Sequence, residues 1–172
     1  MGQNLGQIKV KRVFFENPTK KFHIREIARM LKLSKTSVAL HVANLLKKRI
    51  ILSRKNIFRE YYANENSKQY RFYKRIDSLE RIFESGLIEA LESLNPTCII
   101  LFGSFAKAEY DKNSDIDIFM QTNKQDIDLT NFEKKLKHKI NILFEPDINK
   151  LSRELLNNII NGVKLGGYLK IK

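Results

Sequence analysis

The stretch CIILFGSFAKAEYDKNSDIDIFM, residues 98–120, holds two short apolar runs, a Gly-Ser pair directly after the first and a Ser-Asp-Ile-Asp opening to the second. Apolar runs of this length bounded by turn residues read as buried strands. Along a strand, alternate side chains share a face, so Asp115 and Asp117 project together while Ile116 and Ile118 enter the core. Two carboxylates held this close repel unless a cation neutralises them, and their oxygen atoms suit Mg²⁺ or Mn²⁺. Gly103 and Ser104 sit where the first strand turns into a helix. A glycine lets the backbone approach a phosphate, and the amides at a helix start, together with the serine hydroxyl, can donate to it. The pattern therefore predicts a site for a metal and a phosphate.

Outward from this stretch, short apolar strands alternate with helices. Strands are expected at 98–102, 116–120 and 140–144. Helices are expected to start at Phe105 and to run over about 129–139 and 151–160. This is an α/β or α+β arrangement around a small mixed sheet flanked by helices. Cys98, the one cysteine, opens the first strand as a buried small hydrophobe and leaves the chain without a disulfide framework or a thiolate metal site.

This half of the chain resembles the minimal nucleotidyltransferase domains of the DNA polymerase β superfamily. Their pattern h-x-h-F-G-S-x-A-x-G-x-x-x-x-x-S-D-h-D-h stands here as residues 98–120, and IINGVKLGGYL (159–169) is similar to their closing motif. The resemblance implies that Gly103 and Ser104 bind the triphosphate of an NTP. It also implies that Asp115 and Asp117 hold the metal ions that bridge the phosphates for in-line attack. Ala108 departs from the glycine of the pattern. The larger departure is in the third strand, where family members that transfer a nucleotide carry a third Asp and this chain has Ile140-Asn141-Ile142-Leu143. An Asn cannot act as a base and lacks the charge a second metal would want. Glu145 shares the strand parity of Asn141 but lies about 13 Å along; Glu145 and Asp147 stay open as replacements. Nucleotide and one metal are expected to bind, with transfer weak or lost.

The first half of the chain is different in charge. Residues 1–95 carry 20 Lys plus Arg against 9 Asp plus Glu, a net +11, whereas residues 96–172 carry 12 against 10, a net +2. A polyanion is the natural partner of such a segment. Ile24, Ile27, Ala28 and Leu31 recur at helical spacing, Ser34-Lys35-Thr36 can cap a second helix with the stripe Val38, Val42, Leu45 and Leu46, and a hairpin is expected over residues 50–62 with its turn at 53–56. The segment IREIARMLKLSKTSVALHVANLLKKRII resembles the winged helix-turn-helix domains of bacterial and archaeal transcriptional regulators. That resemblance makes 35–47 the recognition helix, with Lys35, Thr36, Ser37 and His41 exposed near the major groove of double-stranded DNA, and Arg54 and Lys55 at the wing tip against phosphate or the minor groove. A partly buried helix position is the other reading of His41. Residues 67–94 form a long helical pattern, open to a break at Ser85-Gly86, whose aromatic stripe serves a core or pairs two protomers into a homodimer.

The expected organisation is thus a two-domain α/β (α+β) chain: a winged helix-turn-helix at 1–65, a helical connector at 66–95, and a minimal nucleotidyltransferase-like domain at 96–172. No run approaches the ~20 apolar residues of a membrane span, and the start lacks a signal-type segment, so a cytoplasmic protein is expected. Two functions from different classes fit. One is a DNA-binding regulator whose second domain senses a nucleotide. The other is an active Mg²⁺-dependent nucleotidyltransferase modifying a protein, RNA or small molecule; the resemblance extends to antitoxin partners of small helical toxin proteins. A third reading makes the acidic pair a protein-docking surface.

Overall fold

The computed structural model describes residues 5–170, so the outermost positions of the two expected domains, 1–4 and 171–172, lie outside the described residues. The chain divides into two compact units, one ending at Lys74 and one beginning at Arg75. The charge contrast sharpens at this boundary. The segment up to Lys74 has 18 Lys plus Arg against 4 Asp plus Glu, a net +14, while the remainder has 14 against 15, a net −1. No helix among the described residues is long and apolar enough to cross a membrane.

The first unit contains α1 (Leu5–Glu16), α2 (Ile24–Leu31), α3 (Lys35–Lys47), the strands β1 (Ile51–Lys55) and β2 (Arg59–Ala63), and the beginning of α4 (Lys68–Glu84). α1 lies ahead of the helical spacing that begins at His23 and is not foreshadowed by it. Val10, Val13, Phe14 and Phe15 of α1 are buried with Phe22, Ile27, Val38, Val42, Leu45 and Tyr70 in one core. Phe15 meets Tyr70 edge-on at 5.3 Å, and Phe14 meets Phe22 at 5.6 Å, the offset geometry aromatic quadrupoles favour. Lys32, in the left-handed region at φ 54, ends α2. Ser34 then caps α3 as the sequence predicted, its hydroxyl accepting from the Ser37 amide at 3.1 Å. β1 and β2 pair antiparallel with Ile51 opposite Ala63 and Lys55 opposite Arg59. The hairpin turn falls at 56–58 rather than 53–56, because Ser53 and Arg54 pair with Tyr61 and Glu60 and the strand continues through them. Phe22 joins this ribbon through reciprocal backbone hydrogen bonds with Tyr61 at 2.8 and 2.9 Å.

In the second unit, α4 ends at a break over Ser85-Gly86, where Gly86 takes φ 82, and α5 (Leu87–Glu92) follows. Then come β3 (Cys98–Phe102), α6 (Gly103–Lys107), β4 (Ile116–Met120), α7 (Thr130–Leu136), β5 (Ile140–Phe144), α8 (Arg153–Ile160) and β6 (Val163–Gly167). The sheet order is β5-β4-β3-β6, with β4 parallel to β5 and β3 antiparallel to both β4 and β6. It is the small mixed sheet the sequence predicted, enlarged by β6. Both faces are covered, as alternation requires. Ile99, Leu101, Ile116, Ile118 and Met120 pack with Ile82, Leu87, Leu91, Phe105 and Leu136 on one side. Cys98, Ile100 and Phe119 pack with Ile148 and Ile159 on the other. Cys98 is buried, and burial pushes its thiol pKa up. Helix α7 is shorter than the expected 129–139 because Lys137 adopts φ 62 and breaks it, its amide bonding the Glu133 carbonyl at 2.7 Å. An exposed lysine in the left-handed region costs roughly 1–2 kcal/mol that glycine does not incur, part of which is offset by the greater unfolded-state freedom of glycine. Lys137→Gly is therefore expected to raise stability by about 0.5–1 kcal/mol in urea unfolding of the full chain; a loss of stability would contradict the reading of this cap.

Candidate nucleotide and metal site

Three strands meet the candidate residues at one end of the sheet. The β3–β4 register sets Phe102 opposite Asp117, and the β4–β5 register sets Asp117 beside Asn141. Gly103 follows Phe102 directly, at φ 68, and a Cβ built on it would overlap Oδ2 of Asp117. Glycine is required there twice over, by backbone conformation and by the closeness of the carboxylate. Ser104 is half-buried in the first turn of α6, and its hydroxyl makes no hydrogen bond to another described residue. The structure thus brings Gly103, Ser104, Asp115 and Asp117 together, as their spacing implied.

Asp115 stands just before β4 on a tight turn that the sequence reading did not single out. The Asp111 amide donates to the Ser114 hydroxyl at 2.9 Å, and the Asp111 carboxylate accepts from the Asn113 amide at 2.8 Å. Buried His138 lies 2.7 Å through Nδ1 from the Ser114 carbonyl, so Nδ1 carries the proton and donates. Its ring meets Phe105 edge-on at 4.9 Å, and Phe105 stacks on Tyr110 at 4.1 Å. These residues hold the Ser114-Asp115 turn against α6. Nothing in their one-dimensional spacing marks them, because the contacts close only once β5 lies beside β4.

Asn141 settles the register of the third strand. Its Nδ2 donates to Asp115 Oδ2 and to Asp117 Oδ1, both at 3.2 Å. Glu145 and Asp147 are elsewhere: the Glu145 amide bonds the Met120 carbonyl at the opposite end of β4, its carboxylate accepts from the Asp147 amide, and Asp147 caps Asn149. Glu133 anchors the start of β5 by accepting the Ile140 amide at 3.0 Å; this bond, and then Lys139, hold its carboxyl below the usual range. Among the described residues no group of three or more His, Cys, Asp and Glu side chains converges as a metal cluster; the acidic group is a pair with an amide bridging it.

The candidates of the first unit form a separate set. Lys35 and Thr36 are exposed in the first turn of α3, Ser37 is half-buried, and Arg54 and Lys55 are exposed on β1. His41 does not belong with them. It is 3% exposed, on the same face as Val38, Val42 and Leu45, with Nε2 3.2 Å from the Ser37 hydroxyl. Its position one turn beyond Val38 and one turn before Leu45 turns it to the core.

Residues 86–165 match the family model described as "Polymerase beta, Nucleotidyltransferase". This segment, from α5 into β6, is a nucleotidyltransferase-family domain. The curated proteins and the solved structures gave no match.

The double requirement at Gly103 predicts a measurable coupling. Gly103→Ala is expected to cost about 3 kcal/mol in the native background and only about 1–2 kcal/mol in an Asp117→Ala background, where the overlap is gone and the backbone term remains. Equal costs in the two backgrounds, read by urea unfolding, would contradict the packing described.

Proposed function

We propose that the chain is a duplex-DNA-binding transcriptional regulator whose nucleotidyltransferase-family domain binds an NTP with one Mg²⁺ or Mn²⁺ and has weak or lost transfer activity. The observation that carries this reading is Asn141 bonded to both carboxylates of the pair at 3.2 Å. A neutral amide takes the place where transferring relatives have their third carboxylate, and it can neither accept a proton from an attacking hydroxyl nor add charge for a second metal. The donor set fits one hard cation: two carboxylates and an amide oxygen, once the Asn141 side chain is turned, are all oxygen ligands, and Mg²⁺ is commonly bound by one or two carboxylates plus substrate phosphates. Asp115 and Asp117 would hold the ion, which when bound neutralises phosphate charge. The Ser104 hydroxyl and the amides of the β3–α6 turn can donate to a bound phosphate.

The reading of the first unit as a winged helix rests on the order of three helices and a hairpin and on its net +14. Exposed Lys35 and Thr36 at the start of α3, with Arg54 and Lys55 on the hairpin, supply the donors such a module uses. His41 takes no part, being buried.

Two outcomes test these halves separately. With radiolabelled NTP and cell extract, the native chain should label acceptor at a trace level, and Asn141→Asp should raise labelling by about tenfold or more. Equal labelling by the two proteins would contradict the role given to Asn141, and strong labelling by the native chain would favour an active enzyme. For DNA, affinity for duplex should fall steeply between about 50 and 200 mM salt, and Lys35→Ala with Arg54→Ala should flatten that slope; no binding at about 50 mM salt would overturn the regulator reading.

A further inference from the structure

A cavity of about 390 Å³ lies in the first unit, lined by none of the residues given a role above. Its walls include His23, Arg25, Glu26, Arg29, Phe58 and Arg59, so that the start of α2 forms one wall and the hairpin another. Its volume falls within the ~300–1,000 Å³ of small-ligand pockets. The hairpin wall exists because the turn falls at 56–58, two to three residues later than the sequence pattern places it, which puts Phe58 opposite His23 with ring centroids 6.4 Å apart. His23 Nδ1 is 3.0 Å from the Arg59 carbonyl and ties the two walls together.

The charge of the cavity is mostly basic, with three arginines in its lining against one acid, Glu26. None of Arg25, Arg29 and Arg59 has a side-chain hydrogen bond or carboxylate partner among the described residues. The acids that could neutralise them are engaged with lysines: Glu26 with Lys20 at 2.9 Å and Glu60 with Lys21 at 3.7 Å. Three arginines against one lysine-paired acid leave the lining net positive, which favours an anion, and the planar forks of arginine match phosphate or carboxylate. The apolar share of the wall calls for something flat. Phe58 is 72% exposed, and a ring face that open, beside guanidiniums that also stack on aromatic rings, gains from covering by another ring.

We propose that this cavity binds a planar aromatic anion, a ring carrying a phosphate or a carboxylate. The anionic group lies among Arg25, Arg29 and Arg59 and the ring against Phe58. Such a ligand would bridge α2 and the hairpin and fix the hairpin tip to the helical core.

The test uses the full chain carrying Asp115→Ala and Asp117→Ala, so that nucleotide binding at the second unit does not contribute, and titrates AMP and benzoate beside adenosine and inorganic phosphate by calorimetry. AMP, benzoate or both should bind at a single site about tenfold or more tighter than adenosine and inorganic phosphate, the tighter of the two identifying the anionic group. Arg25→Ala with Arg59→Ala should weaken that binding by about tenfold or more, and Phe58→Ala should weaken it while leaving inorganic phosphate unchanged. Circular dichroism checks that these exposed substitutions leave the fold intact. Failure of both AMP and benzoate to bind at about 10 mM, adenosine binding as tightly as AMP, or indifference to the arginine substitutions would overturn the proposal. So would loss of duplex binding in the arginine variant without any AMP or benzoate binding, which would assign this face to DNA.

Discussion

The close approach of Gly103 to the Asp117 carboxylate is the constraint around which the second unit is arranged. It fixes where β3 must end and where β4 must begin, since the antiparallel register that places Phe102 opposite Asp117 leaves the next residue no room for a side chain. Once that contact is made, the parallel register of β5 follows from burial of Ile140 against the same core, and Asn141 arrives beside both carboxylates. Glu133 and His138 then clamp the ends of the arrangement, one at the first amide of β5 and the other at the carbonyl preceding Asp115.

The electrostatic consequence is that the pair is bridged by a neutral donor. Two carboxylates converging on one point would raise each other's energy, and the amide hydrogens of Asn141 relieve part of that repulsion without adding charge. A third carboxylate in the same place would make the group hungrier for cations and supply a base. In the function proposed, the resident amide leaves a site for a single metal with a phosphate ligand, which separates binding from transfer. The first unit contributes a contrasting surface, with a net +14 against −1 in the second.

Much of the second unit could be read from the chain because its signals are local. The strands 98–102, 116–120 and 140–144 are apolar runs bounded by polar turns, and the Gly-Ser and Asp-x-Asp sequences lie at their ends. β6 escaped because Val163–Gly167 ends in two glycines and its pairing with β3 is a long-range event. Asp111 and His138 escaped for a similar reason: each acts through a single contact that exists only after the sheet has formed. In the first unit the hairpin turn was misplaced because Ser53, Arg54 and Lys55 form an exposed strand face, and polar residues on such a face look like a turn. Of the two readings of His41, the structure gives the buried one, because its neighbours Val38, Val42 and Leu45 on the same face are buried.

The most direct test of the account is the number of metal ions the site holds. Mn²⁺ binding to the full chain in the presence of a nonhydrolysable NTP analogue, followed by electron paramagnetic resonance, should give one tightly held ion per chain, lost in the Asp115→Ala, Asp117→Ala variant, and a second should appear in Asn141→Asp. Two ions in the native chain, or one that survives removal of both aspartates, would contradict the assignment of Asn141 and of the acidic pair.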